Sequence, residues 1–332
     1  MRTIALSLVA LLTLAACGPF APGGQPAAEG RIRVALGDIE SVETLNFFIA
    51  LERVRERGID VELNELADED LANQAVVSGQ ADIALGAPYA FIQELDAPVR
   101  IFCQLQKLAF FALVDRERYP DWQALDGETF TVHSRGSGTE AMARFIQDVE
   151  GIQFAEISYV PGSEVRATAL LRGNVQATFI DLPNRNFVMG EAPGRFHELP
   201  LPDIDASDEA LFGNIEWMQQ NQEIVQVLLE EVLEVWRSIV EDPSFVVEER
   251  ERLGLLADLP AELEEELLPY YEISAETGIF TTDCGGADAA RDDFAFYTAA
   301  GSLSGEPEDL RVEDFWYLAP LERALETVGS GN

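Results

Sequence analysis

From residue 31 to residue 180, short apolar stretches alternate with longer amphipathic ones, the pattern of strands each followed by a helix. Residues 31–36 read as a buried first strand, and 37–41 as the loop after it. Residues 42–57 have helical spacing, with Leu45, Phe48, Ile49 and Val54 on one face, and Gly58 ends the helix. A strand is expected at 59–63, a helix at 68–78 closed by Gly79, and a strand at 81–85 that runs into Gly86-Ala87-Pro88-Tyr89 and another helix. Residues 99–104 and 108–114 are two further strands.

The same order then recurs. A strand at 130–133 leads through a turn of small residues into a helix at 139–149, and Gly151 ends it. Strand 157–160, helix 163–171 closed by Gly173, and strand 177–180 follow, and Asp181-Leu182-Pro183-Asn184 opens the next helix. Ser78-Gly79-Gln80-Ala81-Asp82-Ile83-Ala84 is echoed by Arg172-Gly173-Asn174-Val175-Gln176-Ala177-Thr178. Two such halves predict two similar α/β lobes. After Leu199 the pattern loosens, and the chain is expected to cross back. Helices are expected at 221–240, 261–270, 288–300 and 312–328. Trp217 is read as walling the cleft or sitting in the core of the first lobe.

Charge narrows the function. The chain carries 60 acidic and 22 basic residues, a formal net charge of −38, with Lys107 its only lysine. Such a field repels nucleic acid and anionic lipid. An anionic ligand would need strong local donors to bind here. With 47% hydrophobic residues the chain can still build sizeable cores. Its two histidines, His133 and His197, stand apart, and no Cys/His spacing suits a metal, so neither a metal nor a cofactor is expected.

The N-terminus sets the expected compartment. Arg2, the apolar run 4–16 and Leu14-Ala15-Ala16-Cys17 are similar to a bacterial lipoprotein signal. That resemblance implies cleavage after residue 16, acylation of Cys17, and a flexible tether over 17–30. The mature protein would be extracytoplasmic and held to the membrane by lipid. In an oxidising compartment Cys103 and Cys284 are either a disulfide or two buried thiols.

The turn between 133 and 140 carries the most suggestive chemistry. Gly136 and Gly138 let the backbone come close to a bound group. Ser134, Ser137 and Thr139 bring hydroxyls, and the helix start brings N–H groups without intrahelical partners. Together they predict a cradle for an oxygen-rich or anionic group. The dinucleotide pattern G-x-G-x-x-G/A is matched only loosely, and no Lys-Ser/Thr follows to make a P-loop.

The order of these elements resembles the solute receptors of ABC importers, closest to the nitrate-, sulfonate-, taurine- and thiamine-precursor-binding group. It is carried by residues 78–86 (SGQADIALG), 122–127 (WQALDG) and 134–140 (SRGSGTE), with the helix after Trp217 and Glu313-Asp314-Phe315. The resemblance implies an α/β fold of two Rossmann-like lobes joined by a hinge with two chain crossings, type II periplasmic-binding-protein-like. Lobe 1 would comprise 31–114 and 210–332, and lobe 2 would comprise 115–209. A small solute would lie between them, beyond the carboxyl ends of the strands.

Its implied contacts are Asp38, Ala87, Pro88, Tyr89, Ser134, Arg135, Gly136, Ser137, Gly138, Thr139 and Asp181. Tyr89 would stack on the solute or pack on its own helix. Asp38 and Asp181 would accept from an amine, ring N–H or hydroxyl, or cap helices. Arg135 would pair with an anion or face solvent. The implied function is capture of an anionic or oxygen-rich solute, or of a heteroaromatic thiamine- or riboflavin-type precursor, for an importer permease, by a monomer with no catalytic residue. The rivals are an enzyme of pyrimidine- or menaquinone-precursor type on the same fold, and a lipoprotein that senses a ligand without transporting it.

Overall fold

The structure, a computed structural model, describes residues 30–329. The signal segment, Cys17 and all but the last residue of the tether lie outside the described residues. The chain opens with β1 (Gly30–Leu36), α1 (Leu45–Glu56), β2 (Ile59–Glu65), α2 (Glu69–Val77), β3 (Ile83–Gly86), α3 (Tyr89–Leu95) and β4 (Val99–Lys107). It continues with β5 (Phe111–Asp115), β6 (Thr129–Val132), α4 (Gly138–Glu150), β7 (Glu156–Tyr159), α5 (Ser163–Leu171), β8 (Ala177–Ile180), α6 (Leu182–Glu191) and β9 (Phe196–Leu199). Then come β10 (Ser207–Asn214), α7 (Ile215–Gln220), α8 (Gln222–Glu241), α9 (Ser244–Leu253), α10 (Ala261–Glu264), α11 (Leu267–Thr277), α12 (Gly286–Ala299), α13 (Val312–Phe315) and α14 (Ala319–Val328).

The strands form two five-stranded sheets, ordered β2-β1-β3-β10-β4 and β7-β6-β8-β5-β9. In each, three strands run parallel and a fourth inserts antiparallel beside the third: β10 along β3, and β5 along β8. The two expected lobes are therefore present. Gly79 and Gly173, the echoed glycines, both take positive φ at the end of a helix, where a side chain would be strained. Their shared role explains why the two stretches look alike.

The sheets correct the expected lobe limits. Phe111–Asp115 pairs with β8 and β9, so it belongs to the second sheet rather than to lobe 1. Ser207 and Glu209 pair with β4, so they belong to the first sheet rather than to lobe 2. The crossings thus fall in the gaps 108–110 and 200–206. Two expected helices are also split. The acidic helix at 261–270 becomes α10 and α11, and the last breaks at Trp316, just ahead of Pro320. The strands β9 and β10 and the helix α9 were not anticipated.

Helix α8 is the main support of the first lobe. Its apolar face, with Leu228, Val232, Val235 and Trp236, is buried against α1 and the sheet. Trp236 Nε1 donates to the Leu105 carbonyl at 2.6 Å. Cys103 and Cys284 are joined by a disulfide, their Cα atoms 4.6 Å apart and 181 residues apart in sequence. That span contains all of the second lobe. Closing so long a loop restricts the unfolded chain, so reduction is expected to lower unfolding stability by about 2–4 kcal/mol. The denaturant midpoint reads this, and a midpoint that dithiothreitol leaves in place contradicts it.

Candidate functional site

The two lobes touch along the carboxyl ends of their parallel strands. His133, just past β6, has Nε2 3.0 Å from the Gly37 carbonyl just past β1, and its Nδ1 accepts the Gly162 N–H at 3.2 Å. This pattern requires a neutral ring with the proton on Nε2, and burial pushes its pKa down in the same sense. Ser134 Oγ lies 3.4 Å from the Glu69 N–H that it accepts, and Asn186 Nδ2 donates across the lobes to Glu266 at 2.7 Å.

Between these contacts lies a cavity of about 310 Å³, counting the space at its mouth. Its enclosed part has room for about one water molecule, so the lobes must part further to admit an organic solute. Lobe 1 contributes Asp38, Glu43, Glu69, Asp208 and Glu209, and the first crossing contributes Phe110. Lobe 2 contributes His133, Ser137, Thr139, Ser163 and Arg166. Each comes from a loop at a strand end, the start of β10, the first turns of a helix, or a crossing, so hinge motion would reshape the whole wall.

Only three of the expected contacts line this cavity: Asp38, Ser137 and Thr139. The turn at 134–140 is largely satisfied from within. Ser137 Oγ caps α4 by accepting the Glu140 N–H at 3.2 Å, and Thr139 Oγ1 accepts the His133 N–H at 3.0 Å. Glu140 turns back to accept the Gly136 N–H at 2.6 Å. The N–H groups of His133, Gly136 and Glu140 are thus taken, while those of Gly138 and Thr139, the first of α4, have no hydrogen-bond partner among the described residues. Ser134 is fully buried, and Gly138 faces Leu108 and Asp208 rather than open space. Arg135 is exposed, its guanidinium over the Tyr159 ring.

The other side of the expected site also moves. Ala87 is buried and gives its N–H to Glu69 Oε2 at 2.9 Å, so that loop positions a carboxylate instead of offering an amide. Pro88 is buried beside it. Tyr89 is 0% exposed and belongs to the core: its hydroxyl donates to Asp293 and accepts from Trp316 Nε1 at 2.8 Å, and its ring stacks on Tyr297. Asp181 caps α6, accepting from the Asn184 N–H at 2.8 Å. Trp217 is partly buried against the lobe 1 core.

Charge dominates what remains. Desolvation pushes the Glu69 carboxyl up to about 8 and the Asp208 carboxyl up to about 7, with Asp38 among the carboxylates adding to both. Glu43 and Glu209 are raised well above the ordinary range, again by burial first and then by their neighbours. Just behind the wall, Glu164 is raised to about 8, and Asp181 is raised too, both mainly by burial. Arg166 sits among them, 1% exposed. Its Nε donates to the Phe179 carbonyl at 2.9 Å, Nη1 to the Val160 carbonyl at 3.0 Å, and Nη2 to Ser163 Oγ at 2.9 Å. Glu43, Glu69, Phe110, Ser163, Arg166, Asp208 and Glu209 were not singled out from sequence.

The fold is shared widely. A protein of Bordetella bronchiseptica RB50 superposes with a TM-score of 0.72 at 18% identity, covering 90% of this chain and 97% of that one. The periplasmic nitrate-binding protein NrtA from Synechocystis PCC 6803 gives 0.67 at 14% identity, over 90% of this chain and 89% of that one. The alkanesulfonate-binding protein SsuA from Xanthomonas axonopodis pv. citri gives 0.61 at 14% identity, over 89% of this chain and 99% of that one. At such identities the likeness shows the fold, which is the type II periplasmic-binding-protein-like one expected. No curated protein sequence matches the chain. A family profile described as NMT1/THI5 like matches residues 47–245, more than half the sequence. The chain belongs to the NMT1/THI5-like family.

Proposed function

We propose that this protein is the extracytoplasmic solute receptor of an ABC importer, closing its lobes on a small molecule and presenting it to the permease. The observation that carries this reading is the cavity walled by Asp38 and Glu69 from one lobe and Ser137 and Thr139 from the other. Neither lobe alone forms it, so affinity depends on contacts made only when the lobes meet. Lobe 1 is taken as 30–107 with 207–329, and lobe 2 as 111–199, following sheet membership. Lipid on Cys17 would tether the receptor to the membrane, and a Cys17→Ala protein would then leave the membrane fraction.

Of the expected solutes, a heteroaromatic or amine-bearing one fits better than a nitrate- or sulfonate-like anion. Ser137, Thr139 and Asp38 suit hydroxyls and N–H groups, and Phe110 offers a ring face. A sulfonate would meet no free cation among the described residues of this wall, since each Arg166 nitrogen is bonded within lobe 2 and the His133 ring is neutral. No nucleophile–base pair stands out in the cavity, since both ring nitrogens of His133 are engaged by backbone groups. That disfavours an enzyme on this fold.

The test is a thermal-shift screen of amines, pyrimidines, flavins, carboxylates and sulfonates, repeated with Gly138→Leu. A Cβ built at Gly138 would lie 2.7 Å from Leu108 Cδ2 and 3.2 Å from Asp208 Oδ1, so a larger side chain wedges the lobes apart. A ligand far above its dissociation constant raises stability by about 3–4 kcal/mol. The Leu variant is expected to lose binding by tenfold or more, about 1.4 kcal/mol, while its lobes stay folded. A screen without hits, or full affinity in the variant, contradicts the reading.

A further inference from the structure

Beside the central cavity the lobes leave a second gap, and its two walls carry opposite charge. Its volume is about 320 Å³, within the range of small-molecule sites, where the central cavity admits about one water. The spaces are neighbours: Glu69 lines one and Asp70 the other, Ser137 one and Gly136 the other. Lobe 1 brings Asp70 and Asn73 from α2, and Phe91 and Glu94 from α3. Lobe 2 brings Arg135 from the turn before α4 and Arg144 from α4 itself.

The charges on these walls are not equally spent. Arg144 Nη2 donates to Glu140 Oε1 at 2.7 Å, so that cation is matched within lobe 2. Arg135 lies over the Tyr159 ring, 5.1 Å from its centre, and makes no ion pair or hydrogen bond among the described residues. Across the gap, Asp70 accepts from Gln74 Nε2 at 3.1 Å, and neither it nor Glu94 meets a cation among the described residues. A free guanidinium thus faces two carboxylates that stand too far off to pair with it.

A third group points to a missing partner. Asn73 is 5% exposed, and its Oδ1 is sealed from solvent with no hydrogen-bond partner among the described residues. Native folds rarely leave such an acceptor unmet. Asn73 lines the gap, and rotation about χ2, a broad torsion in this side chain, turns the oxygen to a donor placed there.

We propose that the gap is a second ligand site and takes a small aliphatic amino acid as its zwitterion. The carboxylate pairs with the Arg135 guanidinium, whose planar fork suits it. The ammonium donates to Asn73 Oδ1 in the field of Asp70 and Glu94, and the side chain lies on the Phe91 ring. A plain anion would leave the lobe 1 carboxylates unmatched, and a plain cation would leave Arg135 unmatched. Different lobes hold the two charges, so the ligand bridges them and favours the closed form. None of these contact residues lines the central cavity, so this site stands apart from whichever solute is held there.

L-Leucine, isocaproate and isoamylamine share a branched alkyl chain and carry both charges, the negative one alone, or the positive one alone. Calorimetry on the whole protein at neutral pH is expected to show leucine binding at least about tenfold more tightly than either analogue. Arg135→Gln is expected to lose tenfold or more of that affinity while melting, unliganded, with the parent. Asn73→Leu is close in volume and removes the unmet acceptor, so it should melt no lower than the parent and still bind leucine more weakly. Equal binding of either analogue overturns the zwitterion assignment. Leucine affinity unchanged in Arg135→Gln places the ligand elsewhere and overturns it too, as does a failure of leucine to bind at millimolar concentration. An Asn73→Leu protein that melts several degrees lower would show that the amide serves the fold, which contradicts its role in the site.

Discussion

Replacing Arg166 with Met is expected to lower unfolding stability by about 3–5 kcal/mol, the usual consequence of removing one member of a buried charged network. The guanidinium ties three pieces of lobe 2 together: Val160 beyond β7, Phe179 on β8 and Ser163 at the start of α5. Met fills similar space but takes the guanidinium donor from the Val160 carbonyl and leaves the Phe179 carbonyl with the Thr178 hydroxyl. It also removes the positive charge that Asp38, Asp181, Glu43 and Glu164 share, and the carboxyls left behind must hold their protons more tightly. Lys should not rescue it, because a single ammonium cannot span the three acceptors that the planar fork reaches. Chemical denaturation reads the loss. A Met variant within about 1 kcal/mol of the parent would show that the network is not holding lobe 2 together.

The unliganded protein is expected to lose stability as the pH is raised from about 5 to about 9, opposite to the common behaviour of proteins with salt-bridged carboxylates. Glu69 and Glu164 titrate at about 8 in the fold against an ordinary 4.5, and Asp208 at about 7 against 3.8. A carboxyl whose pKa is raised by folding binds its proton more tightly in the native state. The stability it lends is complete below the unfolded value and drains away as the pH climbs through the folded one. Each group that titrates contributes a slope of about 1.4 kcal/mol per pH unit, so the span from pH 6 to 8 amounts to roughly 3 kcal/mol for a single proton. Asp293, raised to about 6 by burial beneath Ser207 and Tyr89, adds to the lower part of the fall. Melting temperatures in matched ionic strength test it. A melting point that is flat or rising over this interval contradicts the picture of protonated carboxyls packed in the closed cavity.

Much of the fold could be read because its local signals agree with its global order. Apolar runs, glycine stops and N-caps repeat in both lobes, and Asp68, Ser137 and Asp181 cap the helices that they precede. Strand β10 escaped notice because Ser207-Asp208-Glu209 begins it with polar residues, where a buried central strand would normally be apolar. Those residues face a cavity and a buried network, so the local rule is broken where the site lies.

Tyr89 misled for a related reason. A tyrosine after Gly-Ala-Pro at a strand end looks like a cleft residue, and its partners Asp293 and Trp316 lie more than 200 positions away. The turn at 134–140 showed the right ingredients for an anion cradle, but sequence does not reveal that Glu140 and Thr139 fold back to use the amides themselves. The carboxylates of the site arrive from α2, β10 and the loop before α1, and only the folding of lobe 1 makes segments so far apart in sequence neighbours.

The central claim is that two hinged bodies shut on a solute held between Asp38, Ser137, Thr139 and Asp208. Small-angle X-ray scattering on the protein, with and without the solute giving the largest thermal shift, tests it most directly. A smaller radius of gyration with the solute bound, absent in Gly138→Leu, is the predicted result. An unchanged radius at saturating solute would contradict it.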